Sequence, residues 1–459
     1  MPAKTNIPYV LFLGATASLG GLLFGFDIAI ITGAVPFLRE YFQLDDFRLG
    51  WAFSSLLFGC VAGSAIAGRL TDSFGRRGVL LWVAVLFMLT SLGTGLAPTF
   101  GWFILARSLG GIAVGGASIL APIYVAEVSP AAMRGRMGTL YQLSIVIGIL
   151  ISYIINYQLH DIGDWNWRWM FISGVLPSVA FFFFLLPASE TPRYLLKAGR
   201  EKEAYATLER IDGHDRAIAE LEQIRDSLAV KGGLLRELRN PGMRRVLGVG
   251  FVLVILVHFS GIATVIDYAP SILKSAGWKI DAALFSTFVI GIVNLRFTLV
   301  SFWVIDRYGR KVLYITGSLG MTALLVTLSI VAALGRFQGG VVLALMLAYV
   351  AFFAACIGLV FWTLVPEIFP TRVRGMAMSV PVLTQWIANA VMVLLFPAAF
   401  NQFGKVPTFG FLAAMALTQA IFTWKLVPET KGRSLEEIEA LWEPAQGEED
   451  QEALETEAL

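Results

Sequence analysis

Charge is scarce in this chain. Asp, Glu, Lys and Arg make up 15% of its 459 residues, against 57% hydrophobic ones. Soluble domains carry about 25% charged residues, so an ordinary water-exposed globule is excluded for most of the length. Histidine and cysteine are scarcer still, at three and two residues. Cys60 and Cys356 lie inside separate apolar runs, which argues against a disulfide framework or a metal site. No metal spacing and no nucleotide loop remain to build a catalytic constellation, so an enzyme is not expected, nor is a cofactor. Gly110-Gly111 and Gly115-Gly116 lie within an apolar run beside Arg107, where close helix packing is the reading rather than a dinucleotide loop. Nor is a cleavable signal peptide expected: the first apolar run contains an Asp and has no small-residue cleavage site after a short core. The net charge of +2 carries little information, and no nucleic-acid partner is expected.

What the chain has in abundance is apolar runs of about 20 residues, enough to cross about 30 Å of hydrocarbon as helices. Twelve segments are predicted, at about 8–34, 50–70, 79–98, 101–123, 136–158 and 168–187, then 245–273, 283–305, 313–334, 340–365, 376–400 and 407–427. The 45 glycines suit helices packed closely in lipid. This divides the chain into a six-helix half over 1–187, a charged amphipathic linker over 188–244, and a second half over 245–430. An acidic tail follows over 431–459, expected to be disordered.

The two halves repeat one another. Gly68-Arg69-Leu70-Thr71-Asp72-Ser73-Phe74-Gly75-Arg76-Arg77 returns as Asp306-Arg307-Tyr308-Gly309-Arg310-Lys311, with 306 − 72 = 234 and 310 − 76 = 234. Glu127-Val128-Ser129-Pro130 with Arg134-Gly135 returns as Glu367-Ile368-Phe369-Pro370 with Arg374-Gly375, 240 residues on (367 − 127). Glu190-Thr191 returns as Glu429-Thr430, 239 residues on (429 − 190). Three landmarks in one order at nearly one offset indicate a duplication. Parallel halves of six helices predict an axis along the membrane normal and a cavity between them at mid-depth. Lys and Arg concentrate in the connections that carry Arg76/Arg77, Arg134/Arg136, the linker, Arg307/Arg310/Lys311 and Arg372/Arg374. The linker and both termini are therefore expected in the cytoplasm.

Asp27 lies inside the first apolar run, where a carboxylate costs about 3 kcal/mol unless paired or facing water. Counting residues from the outer ends of segments 1 and 4 puts Asp27 and Arg107 each about 10 Å deep. The two charges are expected to meet. The pair either holds two helices in register or, where it locks one conformation, links protonation of Asp27 to movement.

The paired turns, Ser189-Glu190-Thr191-Pro192-Arg193, Pro428-Glu429-Thr430-Lys431-Gly432, Gly25-Phe26-Asp27 and Gly358…Trp362…Glu367 together resemble the sugar porter branch of the major facilitator superfamily. The likeness spans all but the acidic tail. It implies an all-α membrane fold of twelve helices in two pseudo-symmetric halves, and proton-coupled symport of a monosaccharide or related polyol by alternating access. It implies an inner-membrane protein, working as a monomer in the bilayer with the proton as coupling ion. Proton-using carriers of this type have an Asp at the position of Asp27, whereas facilitators tend to have Asn. The resemblance further implies cytoplasmic salt-bridge networks that stabilise the outward-open state: Asp72, Arg76, Glu127 and Arg134 in one half, Asp306, Arg310, Glu367 and Arg374 in the other, joined by Glu190 and Glu429. The alternative reading of each arginine is simple positive-inside anchoring.

A sugar is held by amides that bridge hydroxyls and by rings that cover its apolar face. Phe24, Gln142, Asn294, Trp362, Gln385 and Trp386 match sugar-contacting positions of the family, and Asn389 lies beside them in segment 11. Helix packing is the competing reading for each aromatic ring. Segment 7 departs from the pattern. Where the family has Gln-Gln-x-x-Gly-x-Asn followed by Tyr-Tyr, this chain has Val257-His258-Phe259-Ser260-Gly261-Ile262-Ala263, then Asp267-Tyr268. Arg296 in segment 8 counts to about the depth of His258 but stands about 200° from Asn294, so both cannot face one cavity. Three readings stay open: a neutral polar His258 with Arg296 paired to Asp267 or a carbonyl, a His258/Arg296 site for a sugar acid, or a passive facilitator. A non-transporting sugar sensor is disfavoured by the short tail after Lys431.

Overall fold

The computed structural model describes residues 5–130, 133–229, 241–369 and 378–431. Among them are twelve helices long and apolar enough to cross a membrane, and the chain is an integral multi-pass membrane protein. Spans 1 to 5 are Ile7–Tyr41, Asp46–Phe74, Arg76–Gly95, Phe100–Val128 and Arg134–Leu159. Span 6 is bent, Asn166–Ile172 then Val175–Leu185. Span 7 runs in three pieces, Pro241–Phe259, Ile262–Asp267 and Ala269–Ser275. Spans 8 and 9 are Ile280–Tyr308 and Arg310–Ala333. Span 10 is Gly339–Phe353 and Leu359–Glu367 joined by a π turn, Ala354–Gly358. Spans 11 and 12 are Ser379–Gln402 and Lys405–Leu426.

The duplication is visible in the helices. Spans 2 and 8 both have 29 residues, and their ends are separated by 280 − 46 = 234 and 308 − 74 = 234. Each then reverses on a glycine with positive φ, 80° at Gly75 and 89° at Gly309, a conformation that side-chain-bearing residues rarely adopt. Close packing follows small residues as expected: Gly111 and Gly115 of span 4 lie against the Leu56 and Cys60 carbonyls of span 2. Spans 3, 6 and 12 expose Trp82, Leu176 and Trp424, the apolar surface that lipid would cover.

The linker forms helices Pro192–Lys197, Glu201–Asp212 and His214–Ala229. They share a small core of Leu195, Ala204, Leu208, Ala217 and Leu221. Its second helix is tied to the start of span 1 by Thr5–Asp212 at 2.6 Å and by Asn6 N–H donating to the Ile211 carbonyl at 2.8 Å. The acidic tail lies outside the described residues.

Among the described residues, the two halves meet from mid-depth toward the end of the bundle where spans 1 and 2 join. Phe24 meets Trp386 edge-on at 5.5 Å. Farther out, Phe53 meets Tyr268 at 4.4 Å, and Gly291 lies against Tyr153 and Leu150. At the outer rim Tyr157 meets Phe285 at 5.6 Å, and His160 Nε2 reaches Asp281 at 3.2 Å. Gly50 of span 2 abuts the Leu394 carbonyl of span 11 so closely that a Cβ would have no room. The end of the bundle where spans 1 and 2 join is thus closed by contacts between the halves.

Candidate substrate and proton site

Span 1 continues to Tyr41, well past the predicted end at residue 34. Asp27 is therefore deeper along its own helix than counted, yet it does meet Arg107: Nη1 lies 2.6 Å from Oδ1, and Nη1 and Nη2 both donate to the Asp27 carbonyl at 3.2 Å. The arginine side chain is 2% exposed and the carboxylate 15%. The guanidinium also sits over the Phe171 ring, 5.4 Å from its centroid. The geometry separates two anchors. Neutralising the carboxylate would remove the charge-assisted bond while leaving the carbonyl as an acceptor. Phe24 precedes Asp27 by three residues, one helical turn, so the proton-type site and the contact that closes the halves share one stretch of span 1.

Of the amide and ring residues, Asn294, Gln385, Trp386 and Asn389 are buried, and Phe24, Gln142, His258 and Trp362 half-buried. The Trp386 Nε1, Asn389 Oδ1 and His258 Nδ1 atoms are buried without a hydrogen-bond partner among the described residues. Polar groups left unpaired at this depth are suited to a polyhydroxylated ligand or water. His258 ends the first piece of span 7, where its carbonyl accepts from Gly261 N–H at 3.0 Å. Gly261, at φ 90°, breaks the helix, and Tyr349 Oη satisfies the freed Ser260 carbonyl at 2.8 Å.

Arg296 does not join His258. It is exposed, while Asn294 two residues away packs inward, the outcome that 200° of helix rotation requires. The pairing of Arg296 with Asp267 also fails: Asp267 is 5% exposed, inside the closed interface between the halves, while Arg296 is exposed. Two features escaped the sequence reading. The π turn in span 10, just before Trp362, has no signal beyond Gly358. Asn156 of span 5 is buried against Gly33 of span 1, with both amide atoms lacking a protein partner.

At the other end, the Glu190 carboxylate accepts from the backbone N–H of Arg76 at 3.0 Å and of Arg77 at 3.1 Å; Glu429 accepts from Arg310 at 2.9 Å and Lys311 at 3.0 Å. Each carboxylate caps the N-terminus of span 3 or span 9, where unpaired donors and the helix dipole favour an anion. Arg76 pairs with Glu127 at 3.0 Å and Arg310 with Glu367 at 3.1 Å. Both pairs stay within one half and are present with the opposite end of the bundle closed. Asp72 departs from the expected cluster: it pairs with Lys197 of the linker at 2.7 Å, because it ends span 2 facing that helix. Arg134 and Asp306 lie at helix ends, their side chains outside the description, and Arg374 lies outside the described residues.

The profile described as "Sugar (and other) transporter" matches residues 13–442. The chain belongs to this sugar transporter family. The transporter is 36% identical to the arabinose-proton symporter of Bacillus subtilis, over 95% of this chain and 96% of that one. It resembles the inward-open structure of the xylose transporter XylE from E. coli with TM-score 0.84 and 34% identity, covering 95% and 100% of the two chains. The structure of the proton:xylose symporter XylE bound to 6-bromo-6-deoxy-D-glucose aligns with TM-score 0.79 at 35% identity, over 95% and 100%. The protein is a transporter, not an enzyme.

Proposed function

We propose that this transporter carries a neutral monosaccharide or related polyol together with protons, by alternating access across the inner membrane, as a monomer with both termini in the cytoplasm. The proton is the coupling ion, and no other cofactor or nucleic-acid partner takes part. The observation that carries the reading is the buried Asp27–Arg107 pair one helical turn from Phe24, whose ring meets Trp386 across the halves. Protonating Asp27 leaves Arg107 on a carbonyl alone, which loosens span 1 from span 4 on the side of the closing contact. Phe24 and Trp386 offer the sugar ring its apolar cover, and Gln142, Gln385, Asn294, Asn389, Trp362 and His258 offer hydrogen bonds. The relatives named as proton symporters of arabinose and xylose support the substrate class.

An anionic substrate held by His258 with Arg296 is not supported, since Arg296 is on the opposite face of its helix. Uptake by purified protein in liposomes, with labelled pentoses, hexoses, inositol and hexuronates, tests the proposal. Accumulation of a neutral sugar above its outside concentration under an inward proton gradient is expected. Equilibration without accumulation would make the protein a facilitator, and accumulation of a hexuronate alone would reject the neutral-sugar assignment.

A further inference from the structure

Arg296 stands where an arginine is costly. Buried residues of span 8, among them Gly291, Asn294, Thr298 and Ser301, occupy one side of the helix. At 100° per residue, the exposed Ile292, Leu299 and Trp303 form the opposite stripe, and Arg296 lies between Ile292 and Leu299 along it. That stripe is otherwise apolar, so it faces hydrocarbon. Arg296 is 305 − 296 = 9 residues from Ile305, where the apolar span ends, about 13 Å below the cytoplasmic end at 1.5 Å per residue. It has no hydrogen-bond or ion-pair partner in the described protein. Its Cβ tilts toward the helix N-terminus, here the outer side, so its side chain starts in the direction away from the nearer interface.

The surroundings indicate what would meet this charge. Trp303, 85% exposed, lies two turns nearer the cytoplasm on the same stripe, the place where tryptophan marks the lipid headgroup boundary. Arg307 follows eleven residues after Arg296, within 20° of the same line, and is also exposed. A second copy of the chain is a poor occupant, because among the described residues no exposed carboxylate stands at this depth on a spanning helix. We infer that the Arg296–Trp303–Arg307 stripe of span 8 is a binding site for an anionic phospholipid of the cytoplasmic leaflet. Its phosphate is drawn inward to the Arg296 guanidinium, Trp303 packs along the glycerol and upper acyl chain, and Arg307 meets the headgroup. A locally thinned leaflet is the physical consequence, since a guanidinium this deep is satisfied only by bringing phosphate and water down to it.

Native mass spectrometry of the intact transporter, titrated with phosphatidylglycerol or phosphatidylcholine, tests this directly. Wild-type protein is expected to retain phosphatidylglycerol over phosphatidylcholine about fivefold more strongly for each basic residue engaged. Arg296→Leu should lose about one such factor and Arg296→Lys keep most of it. Equal retention of both lipids by wild type overturns the inference even if the leucine variant fails to fold. So does unchanged phosphatidylglycerol retention by a folded Arg296→Leu. A membrane protein co-purifying with wild type in a fixed ratio, and lost in Arg296→Leu, would also overturn it by making the occupant another helix.

Discussion

Replacing Asp27 by Asn changes one atom pair at the centre of the proposed coupling. The amide is nearly isosteric, its oxygen can still accept from Arg107, and the carbonyl bonds at 3.2 Å are untouched. What disappears is the charge and the ability to take a proton. The bond at 2.6 Å becomes a charged–neutral one, a loss of about 3 kcal/mol against the ion pair, because the buried Arg107 charge is left without its counter-ion. That is small enough for the protein to fold and for substrate to cross in both directions. The effect on coupling is absolute. A gradient of about one pH unit supplies about 1.4 kcal/mol per proton, so a carrier moving one proton per sugar accumulates about tenfold. Asp27→Asn should stop at equal concentrations while exchanging labelled sugar across the liposome membrane. Gradient-driven accumulation by Asp27→Asn would refute the reasoning, because no proton would then need this carboxylate.

Gly50→Val places a side chain against the Leu394 carbonyl. It should hold the outer side open and abolish net transport, seen as faster labelling of a cysteine introduced at Tyr153. Glu429→Gln removes the carboxylate from the start of span 9. It should lower stability by about 1 kcal/mol and slow turnover more than it weakens substrate binding; thermal melting and binding measured side by side check this. Gln142→Ala should raise the sugar concentration for half-maximal uptake by about tenfold, the loss of one or two hydrogen bonds to hydroxyls, with little change in stability.

Hydrophobic run length and the repeat offset are properties of the chain taken alone. They were sufficient for twelve spans, two related halves and the meeting of Asp27 with Arg107. The resemblance of the motifs supplied the transport reading. Residue counting failed where the answer depended on neighbours. The apolar pattern of span 1 does not show its continuation to Tyr41, which rests on the packing of Val35 and Leu38 against the rest of the bundle. Depth alone made His258 and Arg296 look like partners, but direction around the helix put them apart. Asp72 found Lys197 rather than its own motif because the linker folds back beneath the first half. Glu190 and Glu429 went to backbone N–H groups at helix ends that no side-chain pairing rule anticipates. Which side is closed was a matter for the tertiary structure only, because both arrangements use the same helices and differ in the side-chain contacts between the halves.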